Sequence, residues 1–470
     1  MDARPLSFIA KACGGEQSGG SPMTLAIRIC TDSRQAQGGD VFFALPGERF
    51  DGHDFVRDVV KKGVVAVVVE KGRPLGDLRH CAVIAVEDTR KALGRLAAAY
   101  RKEFILPTLA VCGSNGKTTT KELVASVLNQ RLRTIWSDAS FNNDVGVPLT
   151  LLKLDEKTDA AVLEAGTNHP GELAPLIRMI APKYGILTSI GREHLEFFGD
   201  MAGVAKEEGS LAELLPADGR LFINGEGEWT GRVAERSRAE VVKVGLGEKN
   251  FWRARNIKLD KQGTVFSVEG GVPGFAGEYR IGLLGRHQVV NALLSIAVGA
   301  ELGLSPAEVR RGLTRCQPAK MRMQLWEHNG VRVLDDAYNA NADSMLAALE
   351  TLKELPCKGR RVAVLGDMAE LGTHSEAAHE EVGRHAAILG IGQLFAVGKM
   401  APVMARGARE AGLTRVIEFG DVESAAAAVK RFARSGDLLL LKASRATRLE
   451  RISEQLRTGE SVKRMECSII

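Results

Sequence analysis

Residues 105–128, "ILPTLAVCGSNGKTTTKELVASVL", leave few folds open to this chain. An apolar run ends in glycine, Gly-Lys-Thr follows, and then Leu123, Val124, Val127 and Leu128 recur at helical spacing. Strand, glycine turn and helix in that order form a phosphate-binding unit. Glycines let backbone N–H groups approach phosphate oxygens, and the helix N-terminus adds a favourable dipole. The common loop has four residues between its first glycine and Gly-Lys-Ser/Thr. That spacing needs glycine at 111, where this chain has Val111; the glycine is Gly113, and only Ser114 and Asn115 separate it from Gly116. The loop is two residues short. Gly113, Ser114, Asn115, Gly116, Lys117, Thr118 and Thr119 are the expected nucleotide-binding residues, with Lys117 reaching the β/γ-phosphates and Thr118 offering its hydroxyl to Mg²⁺.

At 470 residues the chain is too long for one ordinary core. Residues 1–105 contain "DVFFAL" and "GVVAVVVE", β-branched runs that read as strands, and a helical pattern in "TRKALGRLAAAYRKEF". Beyond the glycine loop, "DAAVLEAG" and "YGILTSIG" are further strands ending in polar residues. Alternating strands and helices predict an α/β fold, a mostly parallel sheet with helices on both faces, whose ligands bind at the carboxyl ends of the strands. "LLGRHQVVNALLSIAVGAELGL" reads as a helix with one apolar stripe of Val289, Val290, Leu293, Leu294, Ala297 and Val298. After "CQPAKMRMQLW" the alternation restarts. Three domains are expected, at 1–105, 106–318 and 319–470.

Composition narrows the partners. Hydrophobic residues make up 45% and charged residues 26%, as in a globular protein. The net charge of +5 is scattered and aromatics are 5%, so no nucleic-acid face is expected. Cysteines 13, 30, 81, 112, 316, 357 and 467 show no paired spacing, which argues against zinc or disulfides and for a reducing compartment. The N-terminus carries an acid at position 2 without a long apolar core, and no run reaches bilayer length. The expectation is a cytoplasmic protein with no membrane span; it is taken as a monomer, although the absence of heptads leaves oligomeric state open.

Several polar groups fall at predicted strand ends. "LEAG" puts Glu164 there, and "SIGREHLEFFGD" puts His194 and Glu196 after another strand. Singly, such groups are ordinarily solvated; together at the edge that carries the phosphate loop, they can hold a second divalent ion. In the third domain Asp335 and Asp336 follow "VRVL", and Lys442 and Arg445 follow "DLLLL". One reading is surface charge. The other has Asp336 holding nucleotide, Lys442 and Arg445 facing an anionic substrate, and Arg322 of "AKMRMQ" reaching the γ-phosphate.

The short loop "GSNGKTTT" resembles that of the Mur ligase superfamily, ATP-dependent amide-forming enzymes that include folylpolyglutamate synthases. "TDSRQAQGGDVFFALPGERFDGHDF", "FNNDVGVPLTLL", "EAGTNHPGEL", "GREHLEFFGD", "GRHQVVNALLSIAVG", "DDAYNANADSM" and "LGDMAELG" are similar, in that order, to the branch that joins D-alanyl-D-alanine to UDP-N-acetylmuramoyl-tripeptide, over residues 28–450. The resemblance implies an N-terminal domain for the UDP end, a central domain for ATP and a Rossmann-like C-terminal domain for the dipeptide. It implies ATP and Mg²⁺, and a carboxylate phosphorylated to an acyl phosphate that the dipeptide amine then attacks. It implies catalytic roles for Lys117, Thr118, His194, Arg322 and Asp336, nucleotide contacts from Asn291, Arg322 and Asp336, and a second Mg²⁺ on Glu164 and His194. Asp32, Ser33 and Arg34 would lie near the UDP-sugar, and Asn143, Thr167, Asn168 and His169 near the muramoyl-peptide. Without the resemblance Ser33 and Arg34 read as an ordinary turn.

Three positions depart from the pattern. Many relatives carry a carbamoylated lysine fourteen residues after the metal-binding histidine; here that position is Glu208, and Lys206 is close by. The expectation is that Glu208 supplies the oxygen to the metal with no CO₂ adduct. Ala342 stands where proline is usual, and Ala443 where glycine is. The rival readings are a sister ligase for another amino acid or folate, a P-loop NTPase that drives motion or switching, and an inactive binding protein.

Overall fold

Three large sheets follow one another along the chain, beside a small antiparallel pairing of Arg4–Pro5 with Leu25–Ala26, in a computed structural model that describes residues 1–74, 78 and 81–458. The end of the expected third domain, with Cys467, lies outside the described residues; the six described cysteines are free.

The first sheet has five strands. Arg28–Cys30, Asp40–Phe43, Ala66–Glu70 and Ala82–Val86 run parallel, and Glu16–Ser18 adds an antiparallel edge. Val41, Phe42, Phe43, Val67 and Val68 are all buried, as strands covered on both faces require. The helix Thr89–Arg101, capped by Asp88, joins this sheet to the next. Its Tyr100 hydroxyl donates to Leu154 O at 2.7 Å, and Arg101 Nη2 donates to Thr108 Oγ1 at 2.6 Å. One apolar core therefore runs from Leu6 and Ile84 through Leu96 to Ala110 and Leu163.

The second sheet has nine strands. Thr108–Cys112 lies between Ala160–Glu164 and Tyr184–Leu187 and is parallel to both. From it the chain goes first to one side, through Thr134–Trp136 and Ala160–Glu164, and then to the other, through Tyr184–Leu187, Arg220–Asn224 and Glu240–Gly245. The direction reverses at the carboxyl end of Thr108–Cys112, which opens a crevice there. Gly113 is the next residue.

Two features differ from the sequence reading. The far edge of this sheet is antiparallel: Trp252–Asp260, Gly263–Gly270 and Gly277–Ile281 form a meander. Asp260 pairs with Gly263 across a two-residue turn, a connection that only antiparallel strands can use. The helix Arg286–Glu301 is also buried on every side from Gln288 to Gly299, beyond the single stripe expected. It is wedged between the sheet and the helices Lys117–Leu128 and Pro306–Arg315.

The third sheet runs Gln324–His328, Val331–Asp335, Leu438–Lys442, Arg361–Gly366, Gln393–Val397, Val416–Phe419, parallel except at the first edge. Asp335 ends its strand rather than following it, and is buried against the Ser453 hydroxyl at 2.7 Å. Ala342 is the first residue of the helix Ala342–Glu354. Proline suits that position, but the Asn341–Ser344 capping box fixes the helix start without it. No described helix is long and apolar enough to cross a membrane.

Candidate active site

The glycine loop takes a conformation that glycine alone accepts easily. Gly113 has φ +117°, and a Cβ there would lie 2.7 Å from Ser189 O. Gly116, at φ +87°, caps the helix, and a Cβ would lie 2.8 Å from Asn291 Oδ1. The loop is tied to the segment after the neighbouring strand. Ser114 N donates to Ser189 O at 2.9 Å, Asn115 N to Ser189 Oγ at 2.9 Å, and Gly191 N to Ser114 Oγ at 2.8 Å. These bonds hold the short loop rigid. Thr118 is buried in the first helical turn and Thr119 is partly exposed. Asn291 lies against Gly116 and is oriented by Gln288 at 2.9 Å.

Lys117 sits among carboxylates. Its ammonium donates back to Gly113 O and lies 3.4 Å from Glu193 Oε2. Burial works against its charge, but Glu193, Glu208 and Glu164 outweigh that and hold its pKa above the ordinary lysine value. Burial, reinforced by Glu193, pushes the Glu208 carboxyl up to about 8, against the pull of Lys117. The nearby Gly113 amide also favours its charge without closing a hydrogen bond of normal geometry. Glu164 Oε1 accepts from Asn142 Nδ2 at 2.9 Å. Glu164 Oε2, Glu193 Oε1 and both oxygens of Glu208 are buried with no hydrogen-bond partner.

Buried, unpartnered carboxylate oxygens are costly unless a cation meets them. Mg²⁺ fits such a donor set, because it takes one or two carboxylates, keeps several waters and shares substrate phosphates. Among the described residues no three His, Cys, Asp or Glu side chains form a ready-made metal cage; Mg²⁺ does not require one. Glu208 faces inward and is buried, whereas Lys206, two residues earlier on the same helix, is exposed.

His194 has left-handed backbone, φ +48°. Its Nδ1 is hydrogen-bonded to Glu370 Oε2 of the third sheet's loops, and its Nε2 lies 3.9 Å from Glu193 Oε2. The histidine holds the Glu370 carboxyl below the usual glutamate range. Of the two glutamates in "REHLE", Glu193 turns inward and Glu196 is exposed, which corrects the choice of Glu196. The left-handed turn at His194 starts the helix Leu195–Phe198 with Glu196 outward.

The C-terminal body forms the opposite wall. Asn341 Nδ2 donates to Asn115 Oδ1 at 3.0 Å. Arg192 Nε donates to Asp343 at 2.8 Å, and Nη1 to Glu381 at 2.5 Å. Asp336 Oδ1 accepts from Met323 N at 3.0 Å and so fixes the turn that carries Arg322. The Arg322 guanidinium lies over the Tyr338 ring at 4.1 Å, and Tyr338 Oη is 2.5 Å from Ser140 Oγ on the central body. Lys442 is buried and paired with Asp336 at 2.5 Å and with Asn339 O at 3.0 Å, and Arg445 pairs with Glu450 at 3.0 Å. Lys442 ends a buried strand, so its charge is met inside the protein.

The remaining expected residues occupy separate turns. Asp32 accepts from the backbone and guanidinium of Arg34 in a tight turn that includes Ser33. Asn143 Oδ1 accepts from Gly146 N at 2.9 Å. Thr167 Oγ1 donates to His169 O at 2.8 Å, and Glu172 gathers the Asn168 and His169 amides. The His169 ring lies 4.2 Å from Phe197, close in sequence to His194. Sequence reasoning missed Glu193, Glu370, Arg192 and Asn341 as members of the site. All four lie inside quoted motifs, which is the only signal they carried.

Family models match most of this chain: Mur ligase family, catalytic domain, at residues 28–101; Mur ligase middle domain at 111–299; and Mur ligase, glutamate ligase domain, at 321–445. The chain belongs to the Mur ligase family. It is 35% identical over 435 residues to the UDP-N-acetylmuramoyl-tripeptide–D-alanyl-D-alanine ligase of Bacillus subtilis (92% of this chain, 93% of that one). It is 37% identical over 402 residues to the enzyme of the same name from Escherichia coli (84% and 86%). Among solved structures, MurF from Acinetobacter baumannii superposes with a TM-score of 0.88 at 32% identity, covering 97% of this chain and 99% of that one. MurF ligase from Thermotoga maritima in complex with ADP gives 0.80 at 26% identity, covering 91% and 96%.

Proposed function

We propose that this enzyme is an ATP-dependent ligase that joins D-alanyl-D-alanine to UDP-N-acetylmuramoyl-tripeptide through an acyl phosphate, giving the UDP-linked pentapeptide of peptidoglycan synthesis. The observation that carries the reading is the short loop with Lys117 set among buried carboxylates at the sheet's switch point, in a chain similar to ligases of that name over most of its length. In this reading the reaction takes place in the cytoplasm.

In this reading residues 1–105 hold the UDP end, with Asp32, Ser33 and Arg34 near it; residues 106–318 hold ATP; and residues 319–470 hold the dipeptide, with Arg445 towards it and Lys442, buried against Asp336, fixing that wall. Backbone amides of 116–118, at the start of the helix, cradle the phosphates, and Lys117 neutralises the β/γ-oxygens as charge develops. Asn291 and Asp336 position the nucleotide, and Arg322 swings from Tyr338 to the γ-phosphate. Asn143, Thr167, Asn168 and His169 line the path of the muramoyl-peptide and hold its terminal carboxylate in line with the γ-phosphorus. Thr118, Glu164, His194 and Glu208 would hold Mg²⁺, which supplies charge neutralisation between the approaching anions. Glu208 takes the place of a carbamoylated lysine, since its carboxylate offers the same two oxygens. The walls meeting at Asn115–Asn341 exclude water, which would otherwise hydrolyse the acyl phosphate.

ADP release tests the proposal. It should require both UDP-N-acetylmuramoyl-tripeptide and D-alanyl-D-alanine. Release that needs neither supports a motor or switch, and no release with any pairing supports an inactive binder.

A further inference from the structure

We propose that Glu370 is a positioning residue for the metal site: it fixes the tautomer of His194 and makes the ligand set depend on the C-terminal body being docked. The inference rests on the reading of His194 as a metal ligand.

The contact crosses 176 residues of sequence. A carboxylate can only accept, so the bond between Glu370 and Nδ1 places the proton on Nδ1. That leaves the Nε2 lone pair on the side of Glu193, whose Oε2 is 3.9 Å away and whose Oε1 is buried without a partner. A histidine whose far nitrogen is held by a carboxylate is the usual orientation for a metal-binding imidazole.

The backbone shows that the pair is built in. His194 and Glu370 both take left-handed conformations, φ +48° and +59°, which non-glycine residues adopt at a cost. Glu196 N donates to Glu370 O at 3.1 Å, locking the two turns main chain to main chain beside the side-chain bond. His374 Nε2 is 3.0 Å from Gly199 O in the same seam. Arg192, two residues before His194, bridges to Asp343 and Glu381. The segment 192–199 is thus gripped at several points by the C-terminal body. When that body is undocked, the imidazole loses its partner and Nδ1 and Nε2 become interchangeable. By linkage, a metal that binds the aligned ring favours the docked arrangement to the same degree.

Mn²⁺ titration of the nucleotide-free full chain, read from the EPR signal of free Mn²⁺, tests this apart from turnover. Glu370→Ala should weaken Mn²⁺ binding about 10- to 100-fold. Glu370→Gln, whose amide oxygen still accepts from Nδ1–H, should stay within about threefold of wild type. Circular dichroism checks that both variants are folded. Wild-type Mn²⁺ affinity in Glu370→Ala, with weakened affinity in His194→Ala, overturns the positioning role while leaving His194 a ligand. Equal losses in the Ala and Gln variants overturn it as well, because a lost charge rather than a lost acceptor would then be the cause. Wild-type affinity in His194→Ala overturns the metal assignment itself, and this inference with it.

Discussion

Glu193 Oε2 lies 3.4 Å from Lys117 Nζ, bringing a carboxylate from the loop after one strand to the lysine of the loop after its neighbour. The other oxygen of Glu193 is buried without a partner. The lysine is therefore aimed before any phosphate arrives, and the acid that aims it lies beside His194.

Glu193→Gln should lower kcat about 100-fold, the size expected when one preorganised charge at a phosphoryl-transfer site is removed. Melting temperature should fall, because the buried Lys117 ammonium loses the foremost of the carboxylates that hold its charge. Steady-state kinetics and thermal melts on the same preparation check both parts.

Gly113→Ala should abolish tight nucleotide binding while the protein stays folded. The added methyl meets Ser189 O at 2.7 Å, and φ +117° is strained for alanine, so the loop must shift away from the crevice. Titration calorimetry with ADP should show affinity at least about tenfold weaker, since a displaced loop loses several backbone contacts to phosphate at about 1 kcal/mol or more each.

The phosphate unit was legible because its signals are local: an apolar run, two glycines and a helical stripe within about two dozen residues. Glu164 was legible for the same reason, as the last residue of an apolar strand. Glu193 was not, because periodicity cannot decide between Glu193 and Glu196 until the left-handed turn at His194 is known. Glu370, Asn341 and Arg192 act through contacts between bodies far apart in sequence, which no spacing encodes. Lys442 looked like a free cation at a strand end; its pairing with Asp336 follows from two strands, Val331–Asp335 and Leu438–Lys442, lying side by side. The antiparallel meander went unforeseen because alternation alone does not give strand direction.

Acid sensitivity should trace in part to His287. Burial, helped by Lys442 and opposed by Asp336, lowers its pKa from the ordinary 6.5 to about 4. The unfolded chain then binds more protons than the folded one between these values, so stability is lost as pH falls from about 6.5 to about 4. The residue keeps some solvent contact, which moderates the loss. His287→Asn should flatten the fall of melting temperature across that window and leave it unchanged above pH 7. Scanning calorimetry of the two proteins at several pH values reads the difference.

The central claim is that the γ-phosphoryl group passes to an organic carboxylate and not to water. The most direct measurement starts from UDP-N-acetylmuramoyl-tripeptide whose terminal carboxylate carries ¹⁸O in both oxygens, with mass analysis of the inorganic phosphate released. Attack of the dipeptide amine on an acyl phosphate expels phosphate with one carboxylate oxygen, so the account predicts one ¹⁸O in each phosphate per peptide bond formed, and one left in the amide. Unlabelled phosphate, released in step with ADP, would contradict it.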